Sequence, residues 1–463
     1  MDTTLLPHPP YRVPIVGDVW GMDPRRPIQS MLRQVRELGP ISVRKMFASE
    51  IVTVGGAELV AELSDDRRFA KYVGFHLPPL RRVVGDALFT ADTDEPNWQL
   101  AHDILAPAFT REAMMAYHPI MLEVAWELLD RWDALAAVGH STDVAADMTR
   151  LTLETIGRAG FGHRFTSFGN ERPHPFVAAM VRVLRYADLS LLPPWLPIRR
   201  VLAGSAGQNR SDIALMERTV DEVIAARRAG AQGDAPDLLG QMLKAGNPVN
   251  AERLDPVNIR NQVITFLIAG HETTSGALAF AIHYLLSQPE TLSRVRQEVD
   301  DVWGACDAVQ PAYADVAKLR LVRSVLDEAL RLWPTAPGYA RVARDDTTLG
   351  GRQMRAGDWA LVLLPLLHRD PAVWDEPDRF DPDRFAPGAA RSRQPHAYKP
   401  FGSGLRACIG RQFAIHEAVL ALALIVHRYD LEPDPDYRLR IAESLTLKPH
   451  GFRVRPHRRR TAG

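Results

Sequence analysis

The sequence predicts a mainly α-helical chain, and three observations carry that expectation. The first is a stretch opening at Asp255-Pro256, an acid at the N-cap with proline at the first helical position. It stays apolar and helix-forming from Val257 to about Leu286, and Pro289 stops it. About 30 residues at 1.5 Å per residue make a helix of roughly 45 Å, long enough to cross a globule. The second is a helical run starting near Gly410 and continuing through Gln412-Phe413-Ala414-Ile415-His416-Glu417-Ala418-Val419-Leu420. The third is spacing: Glu328 and Arg331 stand three apart, and Trp98 and His102 four apart. Both spacings put two side chains on one helical face.

The residues with chemistry in them cluster on and beside these helices. Phe401-Gly402-Ser403-Gly404-Leu405-Arg406-Ala407-Cys408-Ile409-Gly410 has the form F-x-x-G-x-R-x-C-x-G. A lone cysteine is more often a buried structural residue, but the fixed pattern around Cys408 sets it apart. In the middle of the long helix, Ala269-Gly270-His271-Glu272-Thr273-Thr274 reads A-G-x-[DE]-T-[TS]. Glu328-Ala329-Leu330-Arg331 is followed by Leu332-Trp333-Pro334-Thr335-Ala336-Pro337, and further on by Phe380-Asp381-Pro382-Asp383-Arg384-Phe385. With these motifs the chain resembles the cytochrome P-450 superfamily from about residue 25 to 455.

The resemblance implies a mainly α fold with smaller β-sheets (α+β), with haem b (iron protoporphyrin IX) between the long central helix and the Cys-ligand loop. Cys408 is then the iron ligand, as a thiolate that pushes electron density onto the metal and favours O–O cleavage. Phe401 and Gly402 shield and turn the loop, Gly404 and Gly410 allow tight backbone beside the macrocycle, and Arg406 pairs with a propionate. Trp98 and His102 approach the propionates too, although the common W-x-x-x-R version has arginine where this chain has His102. Lys71 is a further candidate for the propionates. Ala269 and Gly270 are the small residues that let the helix lie against the haem. A Thr273 hydroxyl bonding back to a carbonyl bends the helix, and the opened backbone is expected to hold a water. Thr273 is implied as the catalytic alcohol with Glu272 as its acidic neighbour, by the logic of positioned proton donors. The bland alternative is a set of hydroxyls bonding their own backbone, and a structural role stays open for His271. Phe89, Leu267, Ala269, Pro337 and Tyr339 are the candidate substrate-pocket residues. Glu328, Arg331 and Arg384 form a buried structural network, with Asp383 where the family carries glutamate.

Composition sets bounds. The chain has 463 residues with zero formal net charge, a balance that gives no sign of nucleic-acid binding. Length alone favours about three domains, but the motifs span most of the chain and imply a single haem domain over 1–463, with an extended lead-in (1–20) and a basic, disordered tail (454–463). Gly204-Ser205-Ala206-Gly207 and Ala229-Gly230-Ala231-Gln232-Gly233-Asp234 read as loops between helices. The two cysteines are Cys306 and Cys408; with Cys408 on iron no disulfide forms within the chain, which suits a reducing cytoplasm. No apolar run reaches the roughly 18–20 residues of a membrane span, so a soluble cytoplasmic protein is expected, and the Ala- and Arg-rich composition suits a bacterial pathway.

Within the family, Asn97 to His102, Thr265 to Ser275, Phe401 to Gly410 and Leu445 to Phe452 look like the haem domain of self-sufficient bacterial fatty-acid hydroxylases, in which a reductase follows. Two departures stand out. The chain ends where a linker to the reductase would begin, so electrons from NAD(P)H are expected through a separate ferredoxin or flavodoxin-type donor, unless this is an excised domain. The arginine and tyrosine that hold the fatty-acid carboxylate fall at Ser49 and Thr53, with Lys45, Arg44 or Arg82 as replacement cations. Losing a charged carboxylate partner costs on the order of 1.5–3 kcal/mol. The expected function is therefore hydroxylation or epoxidation of a small apolar molecule with O2, on a lipid or fatty-acid derivative or on a terpenoid or polyketide intermediate. A haem-thiolate peroxygenase or isomerase is the second class, opposed by the intact Glu272-Thr273 pair. A non-catalytic haem protein is the third, opposed by the whole oxygen-activation motif.

Overall fold

The computed structural model describes the whole chain except residues 24, 48, 75–76, 170–173, 191–197, 231–236, 248–250, 307–308 and 460–463, and describes 198–203 by backbone alone. It is mainly helical with small sheets, as expected. The chain divides into two compact units.

The first unit comprises Met1–Phe75, Arg323–Cys408 and Ile441–Lys448. Its centre is a five-stranded sheet in the order Ile41–Met46, Ser49–Val54, Trp359–Leu363, Gly338–Ala343, Phe69–Lys71. All neighbours are antiparallel except Ser49–Val54 with Trp359–Leu363. Alternation sorts the side chains between two faces. Val43, Val52, Val54, Phe69 and Val362 join one core cluster, while Ile51, Leu361 and Leu363 pack on Met31, Leu32 and Val35 of the helix Pro27–Val35. Residues 1–20 precede any regular element and make isolated bridges, Val13 with Gly17 and Gly17 with Met46.

The second unit comprises His76–Val322, Ile409–Arg440 and Pro449–Gly463. The expected long helix runs from Pro256 to Leu286, and Asp255 caps it by accepting from the N–H groups of Val257 (2.8 Å) and Asn258 (2.9 Å). It packs closely on the helix Val144–Phe161: the Thr152 hydroxyl donates to the His271 carbonyl at 2.9 Å, and a Cβ on Gly270 would stand 3.1 Å from Ile156. The helix Arg411–Arg428 begins directly after Gly410, as expected.

Two expectations need correction. Gly204–Gly207 is no loop; it lies inside one helix, Ile198–Arg228. Two glycines cost that helix about 2 kcal/mol of propensity, and its packing against the helix Pro175–Ser190 outweighs this. Of the second expected loop, Gly230 turns with a φ of 85° and 231–234 lie outside the described residues. The basic tail is not a disordered end either. Arg453–Arg458 is a strand, antiparallel to Tyr429–Pro433 and to Thr142–Asp143. Val454 and Pro456 point inward, and the basic residues after them find acids: Arg458 donates to Asp133 at 2.9 and 3.0 Å, and Arg459 to Asp300 at 2.9 Å. Residues 460–463 lie outside the described residues.

Candidate active site

The candidate residues fall in both units, and each set has its own geometry. In the first unit the Phe401–Cys408 loop is held by its own backbone: Gly402 N–H meets the Lys399 carbonyl (3.0 Å), Ala407 N–H meets Gly404 (3.1 Å), and Cys408 N–H returns to Phe401 (2.8 Å). Gly402 and Gly404 have φ of 71° and 66°, the left-handed region that glycine enters without penalty. The result presents the Cys408 thiol at the surface of the unit, with Phe401 and Arg406 half-buried beside it. Lys71 ends the strand Phe69–Lys71 and sits opposite Arg341 in the sheet.

Glu328, Arg331 and Arg384 come together. Arg331 donates to both Glu328 carboxylate oxygens (2.6 and 2.8 Å), and the Arg384 Nε lies 3.5 Å from Glu328. The remaining Arg331 donors reach the carbonyls of His368 (2.8 Å), Pro377 (2.7 Å) and Arg379 (3.0 Å). Asp381 N–H also binds Glu328 at 2.8 Å. Burial holds His368 down to about 3, with the Arg331 charge adding to it, so its ring stays neutral.

In the second unit the central observation is on the long helix. From Gln262 to Ile282 every residue is buried except Ala269, Gly270 and Thr273. The helix continues unbroken through this patch, so the expected opening of its backbone is not present; the Thr273 hydroxyl back-bonds to the Ala269 carbonyl (3.0 Å), the geometry of the bland alternative. Glu272 is buried, with its carboxylate 3.2 Å from the Nε2 of His271, an ion-pair distance without hydrogen-bond alignment. The His271 Nδ1 turns back to the Leu267 carbonyl. Trp98 and His102 lie on the helix Pro96–Leu105, with rings stacked 5.4 Å apart. Phe89 is 39 % exposed.

Several expectations are corrected by these placements. Tyr339 is half-buried and packs against the sheet core of the first unit with its hydroxyl buried; burial raises its phenol above the usual range. Leu267 is buried, and Pro337 is half-buried, its carbonyl accepting from Leu364 N–H (2.9 Å) just beyond the ends of two strands. Gly410 has an ordinary φ of −81°, and a Cβ there would meet Phe109 at 3.8 Å, so nothing in the protein itself requires glycine. Gly270 lies under Ile156, whose side chain would have to give by a few tenths of an ångström to admit a Cβ, a tight helix–helix contact. Ser49 is exposed, but Thr53 is fully buried, its Cα paired with that of Ser42. Arg44 is likewise fully buried, donating to Gln34 and to the Met22 sulfur, and burial pulls its guanidinium down to about 10. Neither Thr53 nor Arg44 can meet a substrate carboxylate; Lys45 and Arg82 remain accessible.

These features fit a haem. An accessible thiol on a stiff loop suits the axial ligand, and a small-residue patch on an otherwise buried helix suits the flat face of a macrocycle. Partners not foreseen from the sequence are Thr152, on the His271 carbonyl, and Asp66 and Arg341, which bear on the Cys408 loop. No local motif marks any of the three.

Comparison with known proteins agrees with this geometry. Residues 7–455 match the family model for cytochrome P450, and the chain belongs to the cytochrome P450 family of haem- and O2-dependent monooxygenases. A bifunctional cytochrome P450/NADPH–P450 reductase of Bacillus cereus is 42% identical over 455 residues, covering 97% of this chain and 42% of that protein. The bifunctional reductase 2 of Bacillus subtilis is 44% identical over 436 residues, covering 94% of this chain and 41% of that protein. A self-sufficient cytochrome P450 monooxygenase of Phanerodontia chrysosporium is 38% identical over 456 residues, 98% of this chain and 42% of that protein. The chain thus spans less than half the length of these relatives. Bacterial and fungal proteins both match, so the similarity does not select the expected bacterial source. Among the described residues no helix is long and apolar enough to cross a membrane.

Proposed function

We propose that this chain inserts one oxygen atom of O2 into a C–H or C=C bond of a small apolar molecule, with Cys408 as the iron ligand. The observation that carries the proposal is the accessible thiol of the glycine-kinked Phe401–Cys408 loop. Haem bound there would supply O2 binding and activation. The chain's own residues supply the rest. Arg406, Trp98, His102 and Lys71 would hold the propionates. Ala269 and Gly270 would let the helix lie close to the macrocycle. Thr273 is the proposed proton donor: its hydroxyl, which rests on Ala269 O, gives up that proton and is reprotonated by Glu272, buried beside His271, so that it ends the relay as it began. The test is Cys408→Ser in the full chain. The reduced carbonyl complex of the parent should show the long-wavelength Soret band of thiolate ligation, and the variant should lose it entirely. A variant that kept the band would overturn the assignment.

The two electrons are proposed to come from NAD(P)H through a separate ferredoxin or flavodoxin-type donor. The relatives' pairing with an NADPH–P450 reductase supports the nicotinamide source and favours the flavin type. The substrate is proposed to be neutral: a lipid or fatty-acid derivative, or a terpenoid or polyketide intermediate. Ser49 has no charge and the Thr53 and Arg44 side chains are inaccessible. Free long-chain acids should therefore shift the ferric Soret band no more tightly than their methyl esters. An acid bound about tenfold tighter than its ester would mean that a charged partner is present after all, and Lys45 and Arg82 would be the positions to replace next.

A further inference from the structure

We propose that Asp66 is a positioning residue for the Cys408 loop, acting as a cap supplied from a distant part of the chain and anchored by Arg341. The proposal rests on Cys408 being the iron ligand. All the residues concerned belong to the first unit.

The loop enters its ligand turn through the short 3-10 helix Gly404–Arg406. The first N–H groups of such a turn have no partner within it, and Ser403 at the N-cap makes no side-chain cap. Asp66 fills the gap: its Oδ2 accepts the Leu405 N–H at 2.8 Å, across 339 positions of sequence. Gly404 makes the approach possible, because a Cβ there would overlap the Asp66 carboxylate. The other carboxylate oxygen accepts from Arg341 at 2.7 Å. Arg341 is itself fixed, donating to the carbonyls of Leu63 (2.8 Å) and Phe69 (2.7 Å), and it is almost wholly buried. A second tie lies two residues earlier on the loop. The Ser64 hydroxyl gives its proton to Val60 O (2.6 Å), so at 2.9 Å it is Ser403 that donates to Ser64.

The loop is therefore clamped at Ser403 and Leu405 and closed on itself by the Cys408 N–H to Phe401 O bond. Between clamp and thiol there are only Arg406 and Ala407. Movement released at Leu405 reaches the sulfur directly. Charge-assisted hydrogen bonds such as these two are the strong ones, and the Arg341 pairing keeps the carboxylate from adding an unbalanced negative charge beside the thiolate.

The test uses Asp66→Asn, the same size without the charge, in haem-loaded full-length protein. The readout is the rate at which the reduced carbonyl complex passes from the thiolate Soret band to the short-wavelength band of the lost thiolate. Asp66→Asn should convert roughly tenfold faster than the parent, as expected for weakening one charge-assisted bond. Glu62→Gln is the control. Glu62 lies just before the same turn, accepting Gly350 N–H (3.0 Å) away from the loop, and its loss should leave the rate unchanged. If Asp66→Asn does not fold, Gly404→Ala replaces it, since its methyl displaces the carboxylate and should give the same acceleration. A parental rate in whichever variant folds overturns the clamp. An equal acceleration in Glu62→Gln also overturns it, because the effect would then be general loosening of the segment. Cys408→Ser separates the two readings: if it retains the thiolate band the ligand assignment fails, and if it loses the band while Asp66→Asn behaves as the parent, only the clamp fails.

Discussion

Arg331→Met is expected to destabilise the protein by about 3–5 kcal/mol, the cost of leaving one member of a buried ion pair unpaired. The side chain is fully buried, as is Glu328, and Met fills similar volume without replacing any donor. What remains is a buried carboxylate with Asp381 N–H and the longer Arg384 contact, and three carbonyls, on His368, Pro377 and Arg379, that lose their Arg331 donor. Since a whole domain is stable by only about 5–15 kcal/mol, this single change consumes much of the margin. The urea midpoint of the full chain measures it. The double variant Glu328→Met with Arg331→Met should be more stable than Arg331→Met alone, because it removes the uncompensated charge as well. A single variant within 1 kcal/mol of the parent would show that Glu328 is relieved by protonation or by Arg384, and that the network is dispensable. Burial already pushes the Glu328 carboxyl upward against the pull of Arg331, which marks how finely the pair is balanced.

The parts of the fold and site that the sequence made legible are those whose partners are near in sequence or fixed by helical spacing. Asp255-Pro256 announces the long helix because an N-cap and an N1 proline act within one turn. Trp98 and His102, and Glu328 and Arg331, meet because they are three or four apart. Arg384 joined its pair only through a family pattern, and Thr152, Asp66 and Arg341 had no pattern at all. Asp66 reaches Arg341 across 275 positions and Leu405 across 339, and no local rule brings such residues together. Thr53 shows a different limit. Its strand alternates, so its face depends on register, and no local pattern shows that the face it shares with Ile51 is covered by the helix Pro27–Val35. Gly204–Gly207 and the arginine-rich tail were misjudged for the same physical reason: packing against neighbours overrides local propensity. The two glycines sit in a helix that docks on another, and the tail's alternating Val454 and Pro456 are covered while its arginines find Asp133 and Asp300.

Glu417→Gln should change how stability depends on pH. Glu417 lies on the helix Arg411–Arg428, 2 % exposed, and neither carboxyl oxygen has a hydrogen-bond partner among the described residues. The Thr155 hydroxyl bears on it only weakly, because its proton is given to Leu151 O at 2.9 Å. Burial therefore pushes the carboxyl from 4.5 up to about 8, and it is mostly neutral at pH 7. The folded value is above the unfolded one, so the contribution to stability is intact below pH 4.5, falls as pH rises toward 8, and is flat above that. At about 1.4 kcal/mol per pH unit the full loss is roughly 3–5 kcal/mol. Glutamine does not titrate, so the stability of Glu417→Gln relative to the parent should climb by that amount between pH 5 and pH 8 and then level off. Urea unfolding of both proteins at a series of pH values gives the difference directly. Taking the difference matters, because His416 and His368 act in the opposite direction. Burial holds them down to about 4 and about 3, so they remove stability as pH falls below their ordinary 6.5 and shape the acid side of both curves alike. Parallel curves for parent and variant would mean that the buried carboxyl is ionised at neutral pH and is stabilised by a partner or a water. In that case substitution by an apolar residue should cost several kcal/mol, whereas for a neutral carboxyl Glu417→Met should be close to neutral.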